Sequence, residues 1–221
     1  MIKPTTISLF LVLIMLAGCS TGEEEVIVNK ESVEDIEEIK INFASTDVKI
    51  SPGESDQLET HLNVYDDGTG AILDKSSKRL SIDLDKDITR LFNLKNQTSL
   101  EVKVPQQFKG KIIMDGSSGN VSGKELIQND IEVRTSSGNI KLYFVELNND
   151  VKLTTTSGKV SVNFKEQQPN LELNINTNSG RQSIDLTLNG KTQTNKKLQG
   201  FSGNGENKME ITTKSGSTNV N

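Results

Sequence analysis

The sequence predicts an all-β fold, a parallel β-helix or β-solenoid of roughly 20-residue coils turned at Ser-Gly corners. Three observations predict it. Serine-glycine pairs recur with the glycine at Gly119, Gly138, Gly158, Gly180 and Gly216, at intervals of 19, 20, 22 and 36 residues. The residues before each glycine keep fixed offsets. Three positions back stand Gly116, Thr135, Thr155, Thr177 and Thr213; five back, Met114, Val133, Leu153, Ile175 and Ile211; seven back, Ile112, Ile131, Val151, Leu173 and Met209. Polar residues such as Glu132, Arg134, Lys152 and Glu210 alternate with these, which is the period of a strand with one buried face.

A second, shorter strand follows each corner, through Val121, Ile140 and Val160, and then Leu142, Val162, Ile184 and Val220. No single unit can bury its apolar side, but stacked units share one core. The recurring threonine forms a ladder beside the corner, and the glycine accepts a bend or positive φ that a side chain resists. An antiparallel sandwich with hairpins at Ser-Gly fits the strand lengths as well. The constant offsets favour the solenoid, because a sandwich needs no such registration.

The elements follow in order. Lys3 and the apolar run 7–16 read as a signal peptide, too short to span a bilayer. It ends in Leu16-Ala17-Gly18-Cys19, which resembles the bacterial lipobox, so residues 1–18 are removed and Cys19 is diacylated. Cys19 is the chain's one cysteine, and a free thiol outside the cytoplasm is otherwise disfavoured. Residues 19–35 form the lipidated N-terminus and an acidic tether containing Glu23, Glu24 and Glu25. The solenoid domain covers 36–221, with irregular coils over 36–109 and regular ones over 110–221. Its first coil lies at 36–51, where Ile39, Ile41 and Phe43 alternate and Thr46 takes the glycine's place. Strands follow around Leu62, around Ile82 and around Val102, with a turn at Asp66-Asp67-Gly68 and a short helix or loop over 87–96. Asp83, Asp85 and Asp87 share one strand face, but Ile88 and Leu94 stand where an EF-hand loop needs Gly and Glu. The long last interval holds a Gly- and Asn-rich stretch at 189–207, expected to protrude between coils as a loop or a hairpin, with Phe201 as a contact tip. Residues 209–220 then close the stack.

Residues 131–142 (IEVRTSSGNIKL) and 151–162 (VKLTTTSGKVSV) resemble the bacterial DUF4097 family, which carries an adhesin label. The resemblance covers 36–221. It implies an extracytoplasmic β-solenoid, tied in some members to envelope-stress systems, and it brings no catalytic residue.

Composition bounds the function. The formal charge is −5, with no cluster of basic residues, which argues against nucleic acid. His61 is the only histidine and no Gly-x-Ser-x-Gly elbow accompanies it, so a Ser-His-Asp triad is not expected. One His and a lipidated Cys make no zinc site. Gly190-Lys191-Thr192 lacks the upstream glycine of a phosphate loop, since that position is Asp185. With no Trp and 4% aromatics, a glycoside-cleaving groove has little to stack on sugar. The expectation is therefore a non-enzymatic, lipid-anchored envelope module without cofactor or metal. Its partners would be membrane lipid through Cys19 and an envelope protein or polymer. An envelope-stress sensor and a carbohydrate-acting enzyme are the alternatives.

Overall fold

The computed structural model describes residues 24–65, 70–84, 98–127 and 130–221. Their regular structure is all strand. The first seven strands are β1 (Glu24–Ser32), β2 (Glu38–Ala44), β3 (Asp47–Gly53), β4 (Gln57–Tyr65), β5 (Ala71–Ser76), β6 (Arg79–Leu84) and β7 (Ser99–Pro105). The regular repeats give β8 (Lys111–Gly116), β9 (Val121–Leu126), β10 (Ile131–Thr135), β11 (Ile140–Phe144), β12 (Val151–Thr155) and β13 (Val160–Phe164). The C-terminal part gives β14 (Leu171–Thr177), β15 (Gln182–Ile184), β16 (Asn189–Gln193), β17 (Lys197–Ser202), β18 (Asn207–Thr213) and β19 (Thr218–Val220).

Two mixed sheets result. One has nine strands, in the order β1-β4-β7-β3-β9-β11-β13-β19-β15. The other has ten, in the order β16-β17-β14-β18-β12-β10-β8-β2-β6-β5. Alternation decides what each strand buries. Ile39, Ile41 and Phe43 of β2 point inward, as do Val133 of β10, Leu153 of β12, Ile175 of β14 and Ile211 of β18. They meet Val48, Ile140, Val160 and Val220 of the nine-stranded sheet in one apolar cluster.

This arrangement corrects the predicted uniform solenoid. Pairing is parallel through the middle of each sheet, but β1–β4, β4–β7, β5–β6, β14–β17 and β16–β17 are antiparallel. The rungs are also out of sequence at both ends. The first rung, β2 with β3, lies inside the second, β6 with β7. The last rung, β18 with β19, does not close the stack; it lies between β12–β13 and β14–β15. The reason is in the repeat itself. Constant offsets fix the register between any two rungs, and they leave open which rungs are neighbours. Leu153 pairs with Ile211, and Ile211 pairs with Ile175, all at one offset. The other edge of β14 is taken by β17, so β18 must enter on the β12 side.

Two local expectations change with it. From Glu24 the acidic tether is strand β1, paired along its length with β4. The stretch 189–207 is the hairpin of the two alternatives, β16 with β17, and it does not protrude: it adds two strands to the ten-stranded sheet. The signal peptide, Cys19, the turn at 66–68, Asp85 and the segment 87–96 lie outside the described residues.

Candidate functional site: the outer face of the ten-stranded sheet

The five corner glycines stack, with Thr46, in one column. Its spatial order is Thr46, Gly119, Gly138, Gly158, Gly216 and Gly180. No positive φ occurs at these glycines. What they require is the missing side chain. A Cβ on Gly158 would overlap the backbone carbonyl of Gly138, far inside the 3.0 Å that real Cβ atoms keep. Thr155 ties the two corners together: its hydroxyl accepts from the Gly158 N–H (3.1 Å) and donates to the Gly138 carbonyl (3.4 Å). Thr135, Thr177 and Thr213 receive the N–H of Gly138, Gly180 and Gly216 in the same way. The exception, Gly116, has its own cause, since a Cβ there would strike the ring of Phe43. The corners are thus a backbone seam, tied together by the threonine hydroxyls.

The exposed chemistry lies on the outer face of the ten-stranded sheet. One row of cross-strand neighbours runs Ile113, Glu132, Lys152, Glu210, Asn174, Gln199 and Thr192, across β8, β10, β12, β18, β14, β17 and β16. In the middle of the face is a groove of about 270 Å³. Lys111, Lys152 and Lys208 line it with Asp130, Glu132, Asp150 and Glu210, so acids and bases are mixed. Glu132 is the unusual member. It points outward, yet is only 6% exposed, because Lys111 and Arg134 lie over it. Lys111 Nζ is 2.7 Å from Glu132 Oε2, and Arg134 pairs with Oε1. The Lys111 bond, then the charges of Arg134, Lys111 and Lys152, hold the Glu132 carboxyl below the usual carboxylate range, against the opposing effect of burial. Lys208, 2.6 Å from Glu210, lowers the Glu210 pKa, and its own is raised in return. Asp130 and Asp150 accept backbone N–H groups of the next strand, at 3.1 and 2.7 Å.

The face ends in the β16–β17 hairpin, where Phe201 is 45% exposed. Phe201 pairs with Glu172 on one side and Asn189 on the other, so it stands within the sheet rather than on a tip. The hairpin carries a bulge between Asn189 and Thr192, at Gly190, whose φ is +58°. The Phe201 ring lies against that glycine: a Cβ on Gly190 would come 3.1 Å from Phe201 Cε1. The sequence marked Glu132, Arg134, Lys152 and Glu210 only as outward polar positions; their grouping and the burial of the Glu132 carboxylate were not visible in it.

His61 lies on β4 of the other sheet, 3.3 Å from Glu59, which Lys30 also holds at 2.6 Å. Among the described residues no group of three or more His, Cys, Asp or Glu side chains is placed to hold a metal ion.

No curated protein matches the chain. Among solved structures, a "putative cell adhesion protein" from Clostridium sporogenes superposes with a TM-score of 0.66 at 14% identity, covering 90% of this chain and 99% of its own. A "putative adhesin" from Bacteroides fragilis gives 0.39 at 11% identity, over 89% of this chain and 97% of its own. Another from Parabacteroides merdae gives 0.35 at 13%, over 89% and 81%. The Clostridium likeness shows a shared fold. The Toastrack DUF4097 family model matches residues 36–143 and again 124–221, most of the chain, and the chain belongs to that family.

Proposed function

We propose that the protein is a non-enzymatic module of a bacterial cell envelope, anchored by acylated Cys19, that binds a protein or polymer through the outer face of its ten-stranded sheet. The observation that carries this is the continuity of the face. The charged groove and the Phe201 hairpin, two candidates far apart in sequence, lie on one row of strands. The Clostridium sporogenes protein with the same fold is named for cell adhesion, which agrees with a surface role.

The anchor rests on Leu16-Ala17-Gly18-Cys19. Two or three acyl chains, at about 0.8 kcal/mol per buried CH₂, would hold stably. β1 begins five residues after Cys19. Five extended residues reach about 17 Å, so the sheets would sit close to the lipid and not at the end of a long tether. Acyl labelling with fractionation tests the anchor: Cys19→Ala should lose the label and leave the membrane fraction, and an unlabelled wild type would contradict it.

The face is tested by a photo-crosslinking residue placed at Thr212, outward on β18, or at Ser161, outward on β13 of the other sheet. In intact cells, high-mass adducts should form from position 212 and not from 161. Equal yields, or none from 212, would contradict the reading.

A further inference from the structure

We propose that the hairpin end of this face is a stacking platform for an uncharged envelope glycan, with Phe201 as its floor. The inference deepens the binding role above and rests on it.

Three features point to that class of ligand. Phe201 is a large aromatic left 45% exposed on the outer face of the sheet, and its ring lies against Gly190. Gly190 (φ +58°) and Gly205 (φ +71°), which lies beside the base of the side chain, adopt left-handed conformations that L side chains rarely take. With no side chain on either glycine, nearly half of the residue's surface stays open to solvent. Secondly, its neighbours combine amides and a hydroxyl with the carboxylate of Glu172, its direct partner on β14. Asn189 pairs directly with Phe201, Gln199 stands two residues away on the same side of β17, and Thr192 and Asn174 flank Gln199 on the neighbouring strands. Asn174 Nδ2 donates to Glu172 Oε1 (3.0 Å), which fixes that amide's orientation. Thirdly, charge thins one row in from Phe201, whose own row still carries Glu172 and Lys208. The groove over β8, β10, β12 and β18 is lined mostly by acids and bases, whereas the Asn174-Gln199-Thr192 row carries none.

A sugar ring presents a face of C–H groups and a rim of hydroxyls, each both donor and acceptor. An aromatic face takes the first, and amides, which also donate and accept, take the second. Other polymers fit less well. A nucleic acid or an anionic polysaccharide needs a surplus of cations, in a chain whose charge is −5. A protein interface is anchored by clustered apolar side chains. The other exposed large hydrophobics among the described residues, Val26, Val28, Ile72 and Ile127, lie outside the hairpin and β14.

The full chain, purified in a polyoxyethylene detergent, is run through native gels containing a neutral β-glucan, a neutral mannan or anionic alginate. Retardation by at least one neutral polymer and not by alginate is expected. Phe201→Ala should weaken it about fivefold or more, as loss of an interface anchor does, while Phe201→Trp retains it. Gln199→Ala, on an exposed strand face, should weaken it with unfolding unchanged. No retardation by either neutral polymer, preference for alginate, or equal retardation of wild type and Phe201→Ala would overturn the proposal. If crosslinking from position 212 persists while retardation is absent, the glycan inference alone falls; if both are absent, the binding role falls with it.

Discussion

Replacing Gly158 with alanine tests the corner seam. The new Cβ would have to move the Gly138 carbonyl, or Gly158 itself, by about 1.5 Å to reach ordinary contact. Rungs are spaced only about 4.8 Å apart, so the displacement passes to the next corner. The same shift strains two hydrogen bonds of Thr155, to Gly158 N–H and to the Gly138 carbonyl. Overpacking of a close-packed site costs roughly 1–3 kcal/mol and each weakened hydrogen bond about 1 kcal/mol more. The loss of freedom in the unfolded chain gives back about 0.4–1 kcal/mol. The net is a destabilisation of about 2–4.5 kcal/mol, or on the order of 1–2 M in the urea midpoint. Ser157→Ala, one residue away and exposed, should stay within about 0.5 kcal/mol. Urea unfolding of the chain from Glu24 onward, followed by circular dichroism, compares the two. Equal midpoints would refute the steric account of the glycine column.

Further predictions concern the core, the buried carboxylate and the rung order. Leu153 is fully buried on a middle rung, so Leu153→Ala should cost about 2–5 kcal/mol, whereas Lys152→Ala, exposed on the same strand, should change the urea midpoint little. Because the Glu132 pKa is lowered on folding, its contribution is present above the usual carboxylate range and is lost as pH falls through the depressed value. Glu132→Gln should therefore lower the unfolding free energy at pH 7 by about 1–3 kcal/mol, and by much less at pH 3, as read by urea unfolding; the same difference at both would contradict the assignment. Removing residues 207–221 takes out β18 and β19, so hydrogen exchange in β14–β17 should rise well beyond that in β8–β11. Uniform exchange would count against an inserted rung.

Much of the ten-stranded sheet was legible from the chain. Val133, Leu153, Ile175 and Ile211 share one offset because they share one row of the sheet, and Arg134 and Lys152 alternate outward as period two requires. The strand order was not legible. Met209, Ile211 and Thr213 of β18 carry the same pattern as Leu173, Ile175 and Thr177 of β14, so pattern alone accepts either neighbour for β12. What selects the order is the β16–β17 hairpin on the far edge of β14, and its sequence is polar and Gly-rich, which reads as loop. The acidic stretch before Ser32 misled in a similar way: in β1, Glu25 and Glu31 oppose Val64 and Leu58, and composition obscured a strand that β4 recruits. Of the two reasons expected for the Gly158 corner, the chain does bend there and the positive φ does not occur; the requirement the sequence did not show is room beside the next carbonyl.

The account stands on the last rung lying between β12 and β14, because that insertion places the Phe201 hairpin at the end of the groove-bearing face. Paired cysteines measure it directly, in a chain starting after Cys19 and so free of other thiols. Thr154 and Thr212 are outward neighbours on β12 and β18, and Thr212 is in turn beside Asn176 on β14. Adjacent strands bring Cα atoms within disulfide range, and strands two apart, at about 9.6 Å, do not. Under mild oxidation the Thr154→Cys, Thr212→Cys pair should form an intramolecular disulfide, and the Thr154→Cys, Asn176→Cys pair should stay reduced. Efficient bridging of 154 to 176, with none of 154 to 212, would show that β14 follows β12 directly and would contradict the account.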